Sequence, residues 1–94
     1  WTPLIVAIYN NQVEIVKTLL INGADLNICN FKGTTPLMYA KSGCVKHKDP
    51  KILSLLLDFD VDIYQRDYSN KNVLDYCLEN NESEVLDIIK ENKR

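Results

Sequence analysis

Thr2-Pro3-Leu4 returns as Thr35-Pro36-Leu37, and a weaker copy, Asn72-Val73-Leu74, follows further along the chain. Behind each lies a second matching block. Glu14-Ile15-Val16-Lys17-Thr18-Leu19-Leu20 is echoed by Lys51-Ile52-Leu53-Ser54-Leu55-Leu56-Leu57, and again by Glu84-Val85-Leu86-Asp87-Ile88-Ile89. The first signal recurs after 33 residues and then after 37. A period of that size is one helical hairpin, so the chain reads as three hairpins stacked side by side. Stacks of this kind share a core between neighbours and offer extended surfaces, not deep pockets.

Each block carries its own start and stop signals. Thr2 is placed to cap a helix whose first position is Pro3, where the missing N–H costs nothing. Leu4, Ala7 and Ile8 share one side of that helix, which is expected to end near Asn10. Asn11 is then expected to cap the second helix, with Glu14 completing a capping box. Val13, Val16, Leu19 and Leu20 keep the helical period, and Gly23 supplies a left-handed stop. Repeat two opens on the turn Asn30-Phe31-Lys32-Gly33 and carries four extra residues within Ser42 to Asp49, read as a solvated loop. Its Lys46-His47-Lys48 is a locally basic stretch with the charge to meet a carboxylate or phosphate. Asp49-Pro50 restarts the second helix. Repeat three turns on Asp67-Tyr68-Ser69-Asn70, with Asn70 replacing Gly33 in the left-handed place. Asp60 stands where Gly23 stood, Asn72 takes over from Thr35, and Asn81 with Glu84 repeats the expected pair of Asn11 and Glu14.

The two ends of the stack differ. Glu84, Asp87, Lys90, Glu91 and Lys93 make the outer side of the last helix polar, as a terminal hairpin requires. The side from Trp1 to Tyr9 has no such cap, which leads us to expect further repeats before it or self-association through it.

Composition narrows the function. With 94 residues, 11 basic and 13 acidic side chains and a net charge of -2, the chain has no clustered basic face for nucleic acid. No apolar run is long enough to span a bilayer, so no membrane role is expected. Three cysteines, Cys29, Cys44 and Cys77, are an odd, irregularly spaced set, which argues for a reducing, intracellular setting. Cys77 falls where the earlier repeats carry Ala7 and Ala40, so it reads as a small core residue. Cys44, His47 and Asp49 invite a nucleophile or metal reading. The chain has one histidine and no second cluster of ligands to complete a zinc-type site, and no pocket or oxyanion hole accompanies the pair. The three glycines are too far apart for a phosphate-cradling loop.

These residues resemble the ankyrin repeat family. Its pattern is a turn with Asp-x-x-Gly, Thr-Pro-Leu-His, a first helix, a Gly-His step, an Ile-Val-x-x-Leu-Leu helix and Gly-Ala-Asp. The chain matches it at Thr2-Pro3-Leu4, Thr35-Pro36-Leu37, Glu14 to Leu20 and Asn22-Gly23-Ala24-Asp25-Leu26-Asn27, over essentially its full length. It departs where the family's His is Ile5, Met38 and Asp75, where the Gly-His step is Asn11-Gln12 and Asn81-Glu82, and where repeat three lacks Pro. The resemblance implies an all-α solenoid of about three helix-turn-helix repeats joined by β-turn fingers, with repeats at about 1–29, 30–66 and 67–94.

It also implies a non-catalytic module, with no cofactor and no metal, that binds another protein on the concave surface of turn tips and first helices. Carried onto this chain, that surface comprises Phe31, Lys32, Tyr68 and Ser69 at the tips and Trp1, Thr34 and Lys71 before the caps. Tyr9, Asn10, Lys41 and Glu79 close the first helices. Trp1, Tyr9, Phe31 and Tyr68 would form an aromatic row able to anchor a partner. The competing reading folds each aromatic down on its neighbour's turn. Two alternatives to partner binding are a structural or self-associating segment and a regulatory ankyrin segment of a larger enzyme or channel.

Overall fold

A computed structural model of the chain describes residues 2–92. Six helices follow one another: α1 (Pro3–Tyr9), α2 (Val13–Ile21), α3 (Pro36–His47), α4 (Lys51–Asp58), α5 (Val73–Glu79) and α6 (Ser83–Asn92). They form three antiparallel hairpins with no strand among the described residues. First helices pack on first helices and second on second, α1 on α3 on α5 and α2 on α4 on α6.

Helices of seven to twelve residues are too short to persist alone, so caps and packing must hold them. Thr2 Oγ1 accepts the Ile5 N–H at 3.2 Å, and Thr35 Oγ1 accepts the Met38 N–H at 3.3 Å. Asn72 goes further: its side chain accepts the Asp75 N–H while the Asp75 carboxylate accepts the Asn72 N–H, both at 2.9 Å. Pro3 and Pro36 sit in the first turn, as expected. The core runs through the middle of every hairpin, with Val16, Leu53, Leu56 and Ile89 sealed from solvent. Ala7, Ala40 and Cys77 are buried at the same place in successive repeats, as a small residue there requires.

Three expectations are corrected. Asn11 and Asn81 start nothing. Both have left-handed backbone, at φ 55°, and each ends the first helix of its hairpin. The N–H of Asn11 bonds the Ile8 carbonyl and that of Gln12 the Ala7 carbonyl, the paired pattern of a Schellman stop. A cap residue needs extended backbone, so an asparagine committed to this turn cannot also cap the next helix, and α2 begins with no side-chain cap. Asp60, in turn, is not left-handed: α4 stops because Phe59 turns extended, at φ −97° and ψ 170°.

The third correction concerns the insertion. It is not a loop but an additional turn of α3, which runs to His47 where α1 and α5 stop after seven residues. Lys46 and His47 lie in the last turn, where basic side chains complement the negative end of a helix. Lys48 follows in the left-handed place of Asn11 and Asn81, at φ 52°. Asp49 Oδ1 then accepts the Lys51 N–H at 3.0 Å, so Asp49-Pro50 does open the second helix. The extra turn brings α3 against α6. Between them Cys44, Val45, Lys48, Pro50, Val85 and Ile88 line an open groove.

Candidate functional site

The fingers are built by one device used twice. Asn30 Oδ1 accepts the N–H groups of Lys32 and Thr34, at 2.8 and 2.9 Å. Asp67 Oδ1 does the same for Ser69 and Lys71, at 2.9 and 3.1 Å. Each finger closes through a left-handed residue, Gly33 at φ 79° and Asn70 at φ 62°. The first finger's Asn30 Nδ2 donates to Tyr39 Oη at 2.9 Å, and in the second the Tyr76 hydroxyl donates to Asp67 Oδ2. Tyr39 and Tyr76 thus pin each finger to the first helix behind it.

Charge follows from that geometry. Desolvation pushes the Asp67 carboxyl up, but the Tyr76 hydroxyl, the Lys71 and Ser69 N–H groups and the Lys71 charge outweigh it and hold it below its ordinary 3.8. The bond to Asp67 raises the Tyr76 hydroxyl to about 12. Because the Asp67 value is depressed on folding, its stabilisation is complete above pH 3.8 and is lost as pH falls through the lower folded value. Asp67→Asn copies the first finger. At neutral pH it is expected to cost no more than about 1 kcal/mol. Urea titrations at pH 7 and pH 3 should show the variant losing less stability on acidification than the parent chain. An equal loss would mean that Asp67 contributes nothing to the acid limb.

Successive fingers are fastened together. The Tyr68 N–H donates to the Lys32 carbonyl at 3.1 Å. Asn27 supports the join from below, its carbonyl taking Gln65 Nε2 at 3.0 Å and its Oδ1 the Asp62 N–H at 3.4 Å. On this base Phe31 and Tyr68 stand out into solvent, 81% and 74% exposed. Lys32 Nζ lies 5.7 Å from the Phe31 ring centroid, and Tyr68 Oη lies 3.9 Å from Cys29 Sγ, a bond that raises the Tyr68 hydroxyl.

The other residues singled out from the sequence divide. Tyr9 is exposed and meets Tyr39 edge-on, with ring centroids 6.4 Å apart. Asn10 is exposed, its amide donating to the Val6 carbonyl at 3.0 Å. Thr34 is half-buried inside the first finger, and Ser69 is exposed on the second. Lys71 is held by Glu79 at 2.8 Å and lies 5.7 Å from the Tyr76 ring centroid, so the two charges meet each other first. Lys41 does not reach the surface. It is buried, and its ammonium is paired with Glu82 at 2.9 Å across the join between hairpins two and three. Trp1 lies outside the described residues. Sequence reasoning passed over the bonding roles of Asn30, Tyr39, Asp67, Tyr76 and Glu82, placing Asn30 and Asp67 only as turn residues. The signal for the first four was available: a polar residue and a tyrosine nine apart, in the same places in two repeats.

The nucleophile and metal readings of Cys44, His47 and Asp49 gain nothing. Burial pushes the thiols of Cys44 and Cys77 up, away from the reactive thiolate. Among the described residues no three His, Cys, Asp or Glu side chains gather as for a metal, and no helix is long and apolar enough to cross a membrane.

Hairpins, Thr-Pro caps and tied fingers in this order define an ankyrin-type solenoid. The family model described as ankyrin repeats (3 copies) matches residues 4–94, and the chain belongs to the ankyrin repeat family. It is 35% identical over 80 residues to putative ankyrin repeat protein L371 of Acanthamoeba polyphaga mimivirus, covering 84% of this chain and 10% of that protein. It is 38% identical over 88 residues to the human transient receptor potential cation channel subfamily A member 1, covering 94% of this chain and 8% of the channel. A third relative, putative ankyrin repeat protein R664 of the same virus, is 37% identical over 76 residues, covering 81% of this chain and 44% of the relative. The chain therefore spans about a tenth of the first two relatives and under half of the third. Ankyrin repeats are in general protein-interaction modules and typically carry no catalysis of their own.

Proposed function

We propose that the chain binds another protein on the surface formed by its finger tips and first helices, with Phe31 and Tyr68 as anchors. The observation that supports this is the pairing of exposure with rigidity. Two aromatic rings stand in solvent at equivalent tips, yet the backbone beneath them is fixed by side-chain and finger-to-finger hydrogen bonds. Anchors already ordered before contact lose little entropy on binding. Tyr9, Asn10, Lys32, Thr34, Ser69, Lys71 and Glu79 surround them as a polar rim, and a partner residue that separates Lys71 from Glu79 gains one charge of either sign. Lys41 lies outside this surface, buried in its ion pair with Glu82.

The test compares a protein recovered with the parent chain against the Phe31→Ala/Tyr68→Ala variant. Affinity is expected to fall roughly 100-fold while the far-ultraviolet dichroism is unchanged. Undiminished affinity with intact helicity sinks this site. The setting is intracellular on this reading, since all three cysteines are free thiols and two are buried.

A second reading, a regulatory segment within a larger protein, draws on the small share of its relatives that the chain covers. It needs the same surface, occupied by a domain of the same polypeptide.

A further inference from the structure

The turn that lengthens α3 has no counterpart in α1 or α5, which stop after seven residues. Cys44 and Lys48, four residues apart, share one face of it with Val45 beside them, and this face looks across at α6. The facing pair on α6 is Val85 and Ile88, three residues apart. Cys44, Val45, Val85 and Ile88 floor an open groove of about 540 Å³ between the two helices. It lies where the first helices end, whereas the fingers stand where they begin, so the two surfaces occupy opposite ends of the hairpins.

Folding alone does not account for this lining. Lengthening α3 by one turn needs one apolar residue on the core side, and Cys44, 7% exposed, supplies it. Val45 is a second, 42% exposed, with Ile88 half-buried opposite. The charges on the two sides are opposite and open. Glu82 is answered by Lys41, but Lys48 on the α3 side and Glu84 on the α6 side form no ion pair among the described residues. An apolar floor between an unpaired cation and an unpaired anion suits an occupant that carries the reverse charges.

A strand could add only to a sheet edge, and the described residues contain no strand. A polyproline segment needs aromatic rings to dock on, and none lines the groove. A helix needs an apolar trough between two helices, which α3 and α6 provide. We propose that this groove seats one amphipathic helix of a partner protein, with apolar side chains a turn apart on Val45 and Ile88, an acidic flank toward Lys48 and a basic flank toward Glu84. The site is independent of the finger tips, and the opposite charges on its two sides fix the direction in which the helix lies.

The probe is a fluorescent peptide of about 18 residues, long enough to be helical alone, with leucine along one face, glutamate on one flank and lysine on the other. Fluorescence anisotropy at low salt follows its titration with the complete chain. Saturable binding is expected, weakened at least about tenfold by Val45→Asp and roughly fivefold by Glu84→Lys. A second probe with glutamate on both flanks should bind the Glu84→Lys chain more tightly than the parent chain, a reversal that loss of folding cannot produce. No saturation by about 1 mM, no effect of Val45→Asp, or no reversal with the second probe overturns the proposal. Loss of binding in the Phe31→Ala/Tyr68→Ala variant would place the probe on the finger tips and overturn it as well.

Discussion

Replacing Gly33 by alanine is expected to cost about 3 kcal/mol of folding stability. Two causes add. At φ 79° a side chain is disfavoured by roughly 1–2 kcal/mol in any surroundings. The added Cβ would also lie 2.7 Å from the Tyr68 backbone nitrogen, 2.8 Å from Tyr68 Cδ1 and 3.0 Å from Asp67 Cα, and the two main-chain atoms among these cannot swing aside. Relief requires the second finger to move off the first, which breaks the bond from the Tyr68 N–H to the Lys32 carbonyl. Gly23→Ala isolates the first cause, for Gly23 is left-handed at φ 88° with nothing within 4 Å of a Cβ. That variant should lose only about 1 kcal/mol. Urea midpoints of the pair provide the measurement, and equal losses would show that the fingers part freely.

The second large effect lies in the pair Lys41 and Glu82. Both side chains are mostly withdrawn from solvent, at 9% and 15%. Removing one alone strands the other's charge in a poor solvent. Lys41→Met is expected to cost about 2–3 kcal/mol, below the figure for complete burial because Glu82 keeps some access to water. Converting Glu82 to Met as well removes the stranded charge, and the double variant should recover to within about 1 kcal/mol of the parent chain. A double-mutant cycle by chemical denaturation measures this directly. Single losses that simply add would mean that the two groups act independently and that the pair contributes packing only.

Much of this molecule can be read from its sequence because the repeats test one another. Thr2, Thr35 and Asn72 announce the same event three times, and all three prove to be caps. Ala7, Ala40 and Cys77 likewise mark one buried place. The errors arise where one residue type serves opposite ends of a helix. Asparagine favours both the cap before a helix and the left-handed place after one, and nothing local in Asn10-Asn11-Gln12 separates them. The length of the connection decides: of its three residues Asn10 and Asn11 close α1, and Gln12, left at the start of α2, makes no side-chain cap bond. Site residues were harder for a related reason. By family position Lys41 falls at the end of a first helix, on the surface, whereas it lies midway along α3. Its burial goes with the pairing to Glu82, 41 residues away, and with an α3 that continues past it to His47. Tyr39 and Tyr76 look like core aromatics until the finger that each one pins is seen.

The lengthened α3 has a consequence in angular terms. Each residue advances a helix by about 100°, so four added residues rotate the chain beyond them by about 400°, a full circle and some 40° more. Cys44 therefore comes round to nearly the bearing of Ala40, and the chain leaves α3 pointing almost as it leaves α1 and α5. Three added residues would leave it about 60° short, and five would carry it about 140° too far. Either would swing Lys48 and Asp49 off the line on which α4 starts. Growth of a hairpin in this stack is thus quantised by the helical turn: a change of four residues leaves every other join undisturbed, while a change of one would be felt in all of them.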